Sequence, residues 1–378
     1  MKLILLGMIV ASCGGLCITM MMRCATAGTN PQQEIMFDAI VQKVDEKNMT
    51  IENSLILTTN NNHHPKITVI AMLFAGRINH LEILFPYLQS NLNNQDLSLV
   101  WVCVNTPDPL DRGFLRGWSQ AHPLQWELFF ITNMTDSTMQ KQGYKQCFRQ
   151  FYDKFVNAAS EEEIVFLKLD DDIAYISPGA IQSMARTLME RRPKNKCLYV
   201  SAQVVNHPRL SFHAQKNGAI LNFQASSNNN TNKAHPWKLR PNSSRVRIYE
   251  DDPFGRCSWS RGDCAANVHE SFLYRQKQGS LQLFDFPFVD LHANNKYRRW
   301  SINMLAFKMN DIAVYDWNDM DDELQLSSKI PRKLNIHCCV AEHSVVVHFS
   351  YFKQRSFLLE RTSLLERYKN LAYQLNVL

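Results

Sequence analysis

Polar and apolar positions fall into a regular rhythm only from Lys66 onward. Residues 67–74 form a short, largely apolar run, the mark of a buried strand. Ala75-Gly76-Arg77 supplies a turn, and Asn79 is placed to cap a helix over 80–92. Leu81, Leu84, Phe85, Leu88 and Leu92 recur there at helical spacing. Strands are predicted over 97–104 and 126–131. A helix over 144–156 carries Phe148, Phe151, Tyr152 and Phe155 on one face. A further apolar run from Ile164 ends in Asp170-Asp171-Asp172 and turns apolar again at Ile173. A helix over 179–191 and a strand over 197–205 complete the series. Strands alternating with helices predict an α/β protein with a largely parallel sheet covered by helices.

The rhythm breaks over 211–268, an insertion that carries the low-complexity stretch 226–232 and is expected to shape the rim of a site. Aromatic-rich, proline-broken segments follow at 284–288 and 300–307, and 355–375 reads as one amphipathic helix. Ahead of the globular part, residues 28–65 are polar and weakly periodic, a stem. Residues 3–22 contain no charge and match the ~20 apolar residues that span a bilayer. Lys2 precedes this run and Arg23 follows it. A retained single-pass signal anchor is one reading; a signal peptide cleaved near Ala25-Thr26-Ala27 is the other. Both send the rest of the chain into the secretory pathway. The expected organisation is a tail (1–2), an anchor (3–22), a stem (23–65) and a main domain (66–378). That domain divides into 66–210, the insertion 211–268, and 269–378.

Composition adds little to this and removes some possibilities. Of 378 residues 45% are hydrophobic and 20% charged, ordinary for a globular protein. The net charge of +6 comes from scattered basic residues, not a clustered patch, which argues against nucleic acid as a partner. Sequons at Asn48, Asn133, Asn229 and Asn242 agree with a secretory route. Of the ten cysteines, Cys103 and Cys197 lie in apolar runs and read as buried thiols. Cys257 and Cys264 flank a polar loop and form the expected disulfide. No Cys-x-x-Cys, Gly-x-Ser-x-Gly, phosphate-loop or His-Glu-x-x-His motif is present, which removes the main support for structural zinc, serine hydrolase, P-loop and zincin chemistry.

The acidic triplet is the strongest chemical signal. Three adjacent carboxylates repel one another, and apolar flanks deny them solvent, so a bound hard cation is the natural remedy. The alternative is a solvated acidic turn or a helix cap. In α/β sheets, the carboxyl end of a strand is also where ligands bind.

A strand, a glycine-containing turn and a helix, then a mid-chain strand ending Asp-x-Asp, then His348 after Val345-Val346-Val347: over residues 66–350 this resembles the GT-A-fold glycosyltransferases of type II membrane topology. The resemblance implies a GT-A-like, Rossmann-type sheet with an irregular acceptor-side subdomain. It implies a lumenal enzyme of the Golgi or another secretory membrane, or a secreted one after cleavage. Such an enzyme moves a sugar from a nucleotide-sugar donor, with a UDP-sugar expected, to a glycan, protein or lipid hydroxyl. The cofactor would be Mn²⁺ or Mg²⁺, which suit oxygen ligands.

The same resemblance makes Asp172 and Asp170 metal ligands, adds His348 to them with His343 as a substitute, and puts Asp171 toward the sugar. Ala75, Gly76, Arg77 and Asn105 fall where the nucleotide lies. An inverting reaction needs a carboxylate base, and Asp319-Met320-Asp321-Asp322-Glu323 offers Asp322 first, with Asp321 beside it. Trp300, Asn303 and Arg299 are candidates for the acceptor sugar. A non-catalytic carbohydrate-binding glycoprotein and a metal-dependent nucleotidyl- or phosphotransferase remain the alternatives.

Overall fold

The computed structural model describes residues 10–13, 16–19, 67–131, 136–157, 163–194, 196–225, 237–239, 259–293, 296–319 and 321–377. The chain divides into two units, Met1–Asn61 and Asn62–Leu378. In the first, β1 (Val10–Cys13) and β2 (Leu16–Thr19) pair antiparallel. The described part of the 3–22 segment is therefore extended where a spanning helix is expected. No helix among the described residues is long and apolar enough to cross a membrane. The rest of that segment, the stem and the sequons at Asn48, Asn133, Asn229 and Asn242 lie outside the described residues.

The second unit is mixed α/β, with a mostly parallel central sheet flanked by helices. Its first half runs β3 (Thr68–Ala75), α1 (Ile78–Asn93), β4 (Leu99–Val104), α2 (Pro109–Ala121), β5 (Trp126–Phe130), α3 (Asp136–Phe155) and β6 (Ile164–Asp170). Then come β7 (Ile173–Ile176), α4 (Ala180–Arg191), β8 (Tyr199–Val205) and α5 (Ser211–Lys216). A small antiparallel pair, β9 (Phe223–Ala225) with β10 (Trp237–Leu239), lies in the insertion. The remainder is α6 (Gly262–Lys277), β11 (Val289–Asp290), β12 (Met304–Phe307), α7 (Asp322–Leu324), α8 (Ile330–Leu334), β13 (Cys338–His348), α9 (Arg355–Arg361) and α10 (Leu364–Tyr373).

The main sheet has the order β11-β13-β8-β12-β6-β3-β4-β5, with β7 also on β13. Strands β5, β4, β3 and β6 are mutually parallel, as are β8 and β13. Between these groups β12 runs antiparallel to both β6 and β8. Strands β3, β4, β6 and β8 are buried along nearly their whole length, which is why they read as largely apolar runs in place of alternating ones. Trp101 of β4 anchors the core between Phe129 and Phe151, at ring separations of 5.5 and 5.4 Å.

Three local expectations change. Asn79 does not cap α1: the helix begins at Ile78, whose N–H donates to Asp111 Oδ1 at 2.9 Å. The cap arrives from α2, a tertiary contact that local pattern cannot reveal. The C-terminal helix is two helices, broken where Thr362 turns extended and its hydroxyl bonds the Leu358 carbonyl. Cys103 and Cys197 are not thiols. Cys103 joins Cys147 of α3, and Cys197 joins Cys339 of β13. An apolar neighbourhood suits a buried half-cystine as well as a thiol, so burial alone did not separate them. Cys264 is also disulfide-bonded, while Cys257 lies outside the described residues; Cys338 is a buried free thiol.

Candidate metal centre

From β3 the chain winds outward through β4 to β5, then returns by α3 to lay β6 on the other side of β3. The order therefore reverses between β3 and β6, and the crevice outside the carboxyl ends of strands at such a reversal is where α/β sheets take ligands. Ala75-Gly76-Arg77 leaves β3 there, and Asp170 closes β6. Because β12 runs backwards, its approach at Asn303 reaches the same edge, where the Asp170 N–H donates to the Asn303 carbonyl at 3.0 Å. His348 closes β13 beside the Asp172 loop, with the Phe349 N–H donating to the Asp172 carbonyl at 2.8 Å.

Asp170, Asp172 and His348 come together here. One ligand atom from each lies within 4.8 Å of the others, an arrangement able to hold a divalent metal ion. His348 Nε2 stands 3.2 Å from Asp172 Oδ1, and both side chains are buried. Two carboxylates and an imidazole are hard to intermediate donors, a set that accepts a divalent first-row ion or magnesium. His343, the substitute, is exposed and pairs with Asp285, away from this cluster.

Asp171 faces elsewhere. Its Oδ2 accepts from the Gly76 N–H at 3.0 Å and from Arg77 Nε at 3.1 Å, and Arg77 Nη2 pairs with its other oxygen. The same Nη2 lies 3.1 Å from Asp172 Oδ2. Arg77 thus clamps the β3 turn to the acidic loop. It is committed to carboxylates, not held out toward a nucleotide, although its Nη1 is buried without a partner. Burial alone would lower the Arg77 pKa, but Asp172 and Asp171 outweigh it and raise the value, so the guanidinium stays charged. Burial would likewise raise the Asp172 carboxyl. His348 and Arg77 hold it well below the usual carboxylate range, with a smaller contribution from His80. A Cβ on Gly76 would come 3.3 Å from the Asn105 carbonyl oxygen, so the turn leaves little room there for a side chain.

Other sequence candidates fall into two groups. Asn105 ends beside the β3 turn with its Oδ1 buried and unbonded, packed so closely on Gly143 that any side chain at 143 would overlap the amide. Ala75 is fully buried and contributes backbone only, its carbonyl accepting from the Asn105 N–H at 2.8 Å. Asp322 belongs to the site's electrostatics. Burial raises its carboxyl, Lys168 pulls it down, and Asp170 and Glu323 push it up, leaving it above its ordinary value. Its partner in the expected pair differs: Asp321 caps α7 by accepting from the Leu324 N–H at 2.8 Å and receives Arg299 Nη1 at 2.8 Å. Arg299 also bonds Glu323 at 2.8 Å, so it braces the acidic turn and is not free for an acceptor.

Trp300 is corrected outright. Only 1% of it is exposed, so it offers no open ring face to a sugar. It belongs to the core cluster, its ring 6.5 Å from that of His207 and its backbone N–H donating to Ser327 Oγ at 3.3 Å. Asn303, 3% exposed, is a brace as well. Its Nδ2 donates to Asp170 Oδ2 at 3.1 Å and its Oδ1 accepts from the Tyr351 hydroxyl at 3.2 Å.

Three participants escaped the sequence reading. Lys168 lies under Asp170 with Nζ 2.5 Å from Oδ1. A lysine inside an apolar strand, two positions before a candidate ligand and so on its face, was a signal available in the sequence. Tyr351 lays its ring 4.5 Å from that of His348 while bonding Asn303, and so supports His348 directly and Asp170 through Asn303. Asn206, in the left-handed region at φ 66°, donates to the His348 carbonyl at 3.3 Å and the Phe349 carbonyl at 3.1 Å. Nothing local in the sequence marks the last two.

Comparison with protein-family models finds no match to the chain, and comparison with curated proteins finds none.

Proposed function

We propose that this chain is a metal-dependent glycosyltransferase of GT-A type, which moves a sugar from a nucleotide-sugar donor to an acceptor hydroxyl. The observation that carries the reading is the meeting of Asp170, Asp172 and His348 at the carboxyl edge of the sheet, at its order reversal. These three residues would hold Mn²⁺ or Mg²⁺. Bound there, such an ion supplies positive charge to a departing diphosphate.

The protein's own groups fit the remaining tasks. Asp322 sits in the field of Asp170 and Lys168 with a raised pKa, the property of a general base. Its neighbours Arg299, Asp321 and Glu323 fix the turn that carries it. Asn105 keeps an unspent acceptor beside the β3 turn, suited to an N–H on a nucleobase. The disulfides Cys103–Cys147 and Cys197–Cys339 favour an oxidising lumen, in line with a secretory or Golgi enzyme.

A thermal-shift screen of the chain against UDP-, GDP- and CMP-sugars, with and without Mn²⁺, tests this. One nucleotude class should stabilise the wild type only with metal, and Asp172→Asn should abolish the shift. Equal shifts in both proteins contradict the assignment. A product carrying phosphate in place of sugar transfers the site to phosphotransfer chemistry.

A further inference from the structure

Lys168 occupies a slot built for an apolar side chain. It lies within β6 among Val165, Phe166, Leu167 and Leu169, and is 3% exposed. Strand alternation puts it on the face of Asp170. Its ammonium lies 2.5 Å from Asp170 Oδ1, donates to the Ile302 carbonyl at 3.0 Å, and sits 5.6 Å from the centre of the Phe74 ring. Burying an ammonium is costly, and a methionine of like length would fill the space without that cost. The charge, not the volume, explains why lysine stands here.

We propose that Lys168 is a positioning residue of the site: its ammonium holds one oxygen of Asp170 and balances the charge shared by Asp170 and Asp322. Asp170 Oδ1 is taken by Lys168 and Oδ2 by Asn303, so this carboxylate reaches a cation already partly neutralised. Arg77 and Lys168 offset part of the negative charge that Asp170, Asp171 and Asp172 bring together. Lys168 thereby weakens metal binding and keeps the metal exchangeable. Asp322 is influenced by Lys168, Asp170 and Glu323, and in turn acts on Tyr315. Lys168 and Arg299 are the cations that act on Asp322, and both favour its ionised form. The purpose of this arrangement rests on the transferase reading; its measurable effects need no substrate.

The test uses Lys168→Met in the full chain, with Mn²⁺ alone as the probe. Free Mn²⁺ is followed by electron paramagnetic resonance, and the Asp322 carboxyl titration by ¹³C NMR, assigned with Asp322→Asn. The variant should bind Mn²⁺ at least about tenfold more tightly than wild type, because a neighbouring positive charge is gone. Its Asp322 titration should move to higher pH. If K168M does not fold, Lys168→Gln is measured in the same way. A packing role alone would instead weaken Mn²⁺ binding and leave the Asp322 titration in place, which overturns the proposal. So does an affinity equal to wild type. A wild type that binds no Mn²⁺ overturns the metal centre itself, an outcome visible in the same titration before any variant is read.

Discussion

Asp172 and His348 stand 3.2 Å apart at the sheet edge, brought together because β13 pairs with β7, the strand that follows the acidic loop. Their contact lets the two be tested as a unit. Asp172→Asn and His348→Ala should each weaken Mn²⁺ binding by more than the ~10–100-fold that loss of a supporting group costs. Asp171 still engages Arg77 in the asparagine variant, so the fold should survive. Isothermal titration with Mn²⁺ checks this, and undiminished binding in either variant removes that residue from the ligand set.

Asp322→Asn should separate stability from activity. A carboxyl whose folded pKa is raised contributes stability that is complete below its unfolded value and is lost as pH rises through the folded one. At neutral pH the ionised Asp322 therefore weighs against the fold. Asparagine keeps the oxygen that accepts from the Glu323 N–H at 2.9 Å and drops the charge. The expected outcome is a higher melting temperature at pH 7, no gain well below the ordinary carboxylate pKa, and transfer or donor hydrolysis reduced at least about 100-fold. A variant with wild-type turnover would disqualify Asp322 as base.

Much of this architecture could be read in advance, for a physical reason. Parallel strands buried on both faces are largely apolar, so 67–74, 97–104 and 197–205 stood out, within two residues at each end; 126–131 did so too, although β5 is only half-buried. The acidic triplet was legible because burying carboxylates side by side is too costly to be accidental. What stayed hidden depends on contacts distant in sequence. Arg77 finds Asp171 across the sheet reversal, Asp111 caps a helix from the next one, and Trp300 is withdrawn by packing that its polar neighbours conceal. Lys168 was the missed clue, since period-two alternation already set it beneath Asp170.

Reduction should destabilise the chain strongly. Cys197 and Cys339 are 142 residues apart and join the start of β8 to β13, the strand that ends in His348. Losing such a cross-link costs about 2–5 kcal/mol. The double variant C197S/C339S should melt at lower temperature and bind Mn²⁺ less tightly, since β13 carries a ligand. Cys338, buried next to the bridge, should resist alkylation in the native state. Peptide mapping without reduction checks the pairing, and a melting curve indifferent to the double variant would remove the bridge from the stability account.

Acid should unfold this protein through its buried histidines. Burial is the main cause that lowers His207 and His269 to about 3 and His80 and His292 to about 4. Each is held neutral: His269 Nε2 meets the Phe349 carbonyl at 2.8 Å, and His292 Nε2 the Ser327 carbonyl at 2.9 Å. A depressed folded pKa gives stability that is present above the unfolded value, about 6.5, and lost as pH falls toward the folded one. Each group contributes about 1.4 kcal/mol per pH unit in that window, so the four together give about 5.5. Denaturant melts between pH 6.5 and 4.5 should show this slope, and His269→Gln should remove about a quarter of it. A stability flat across that range would mean the imidazoles are already protonated in the folded chain.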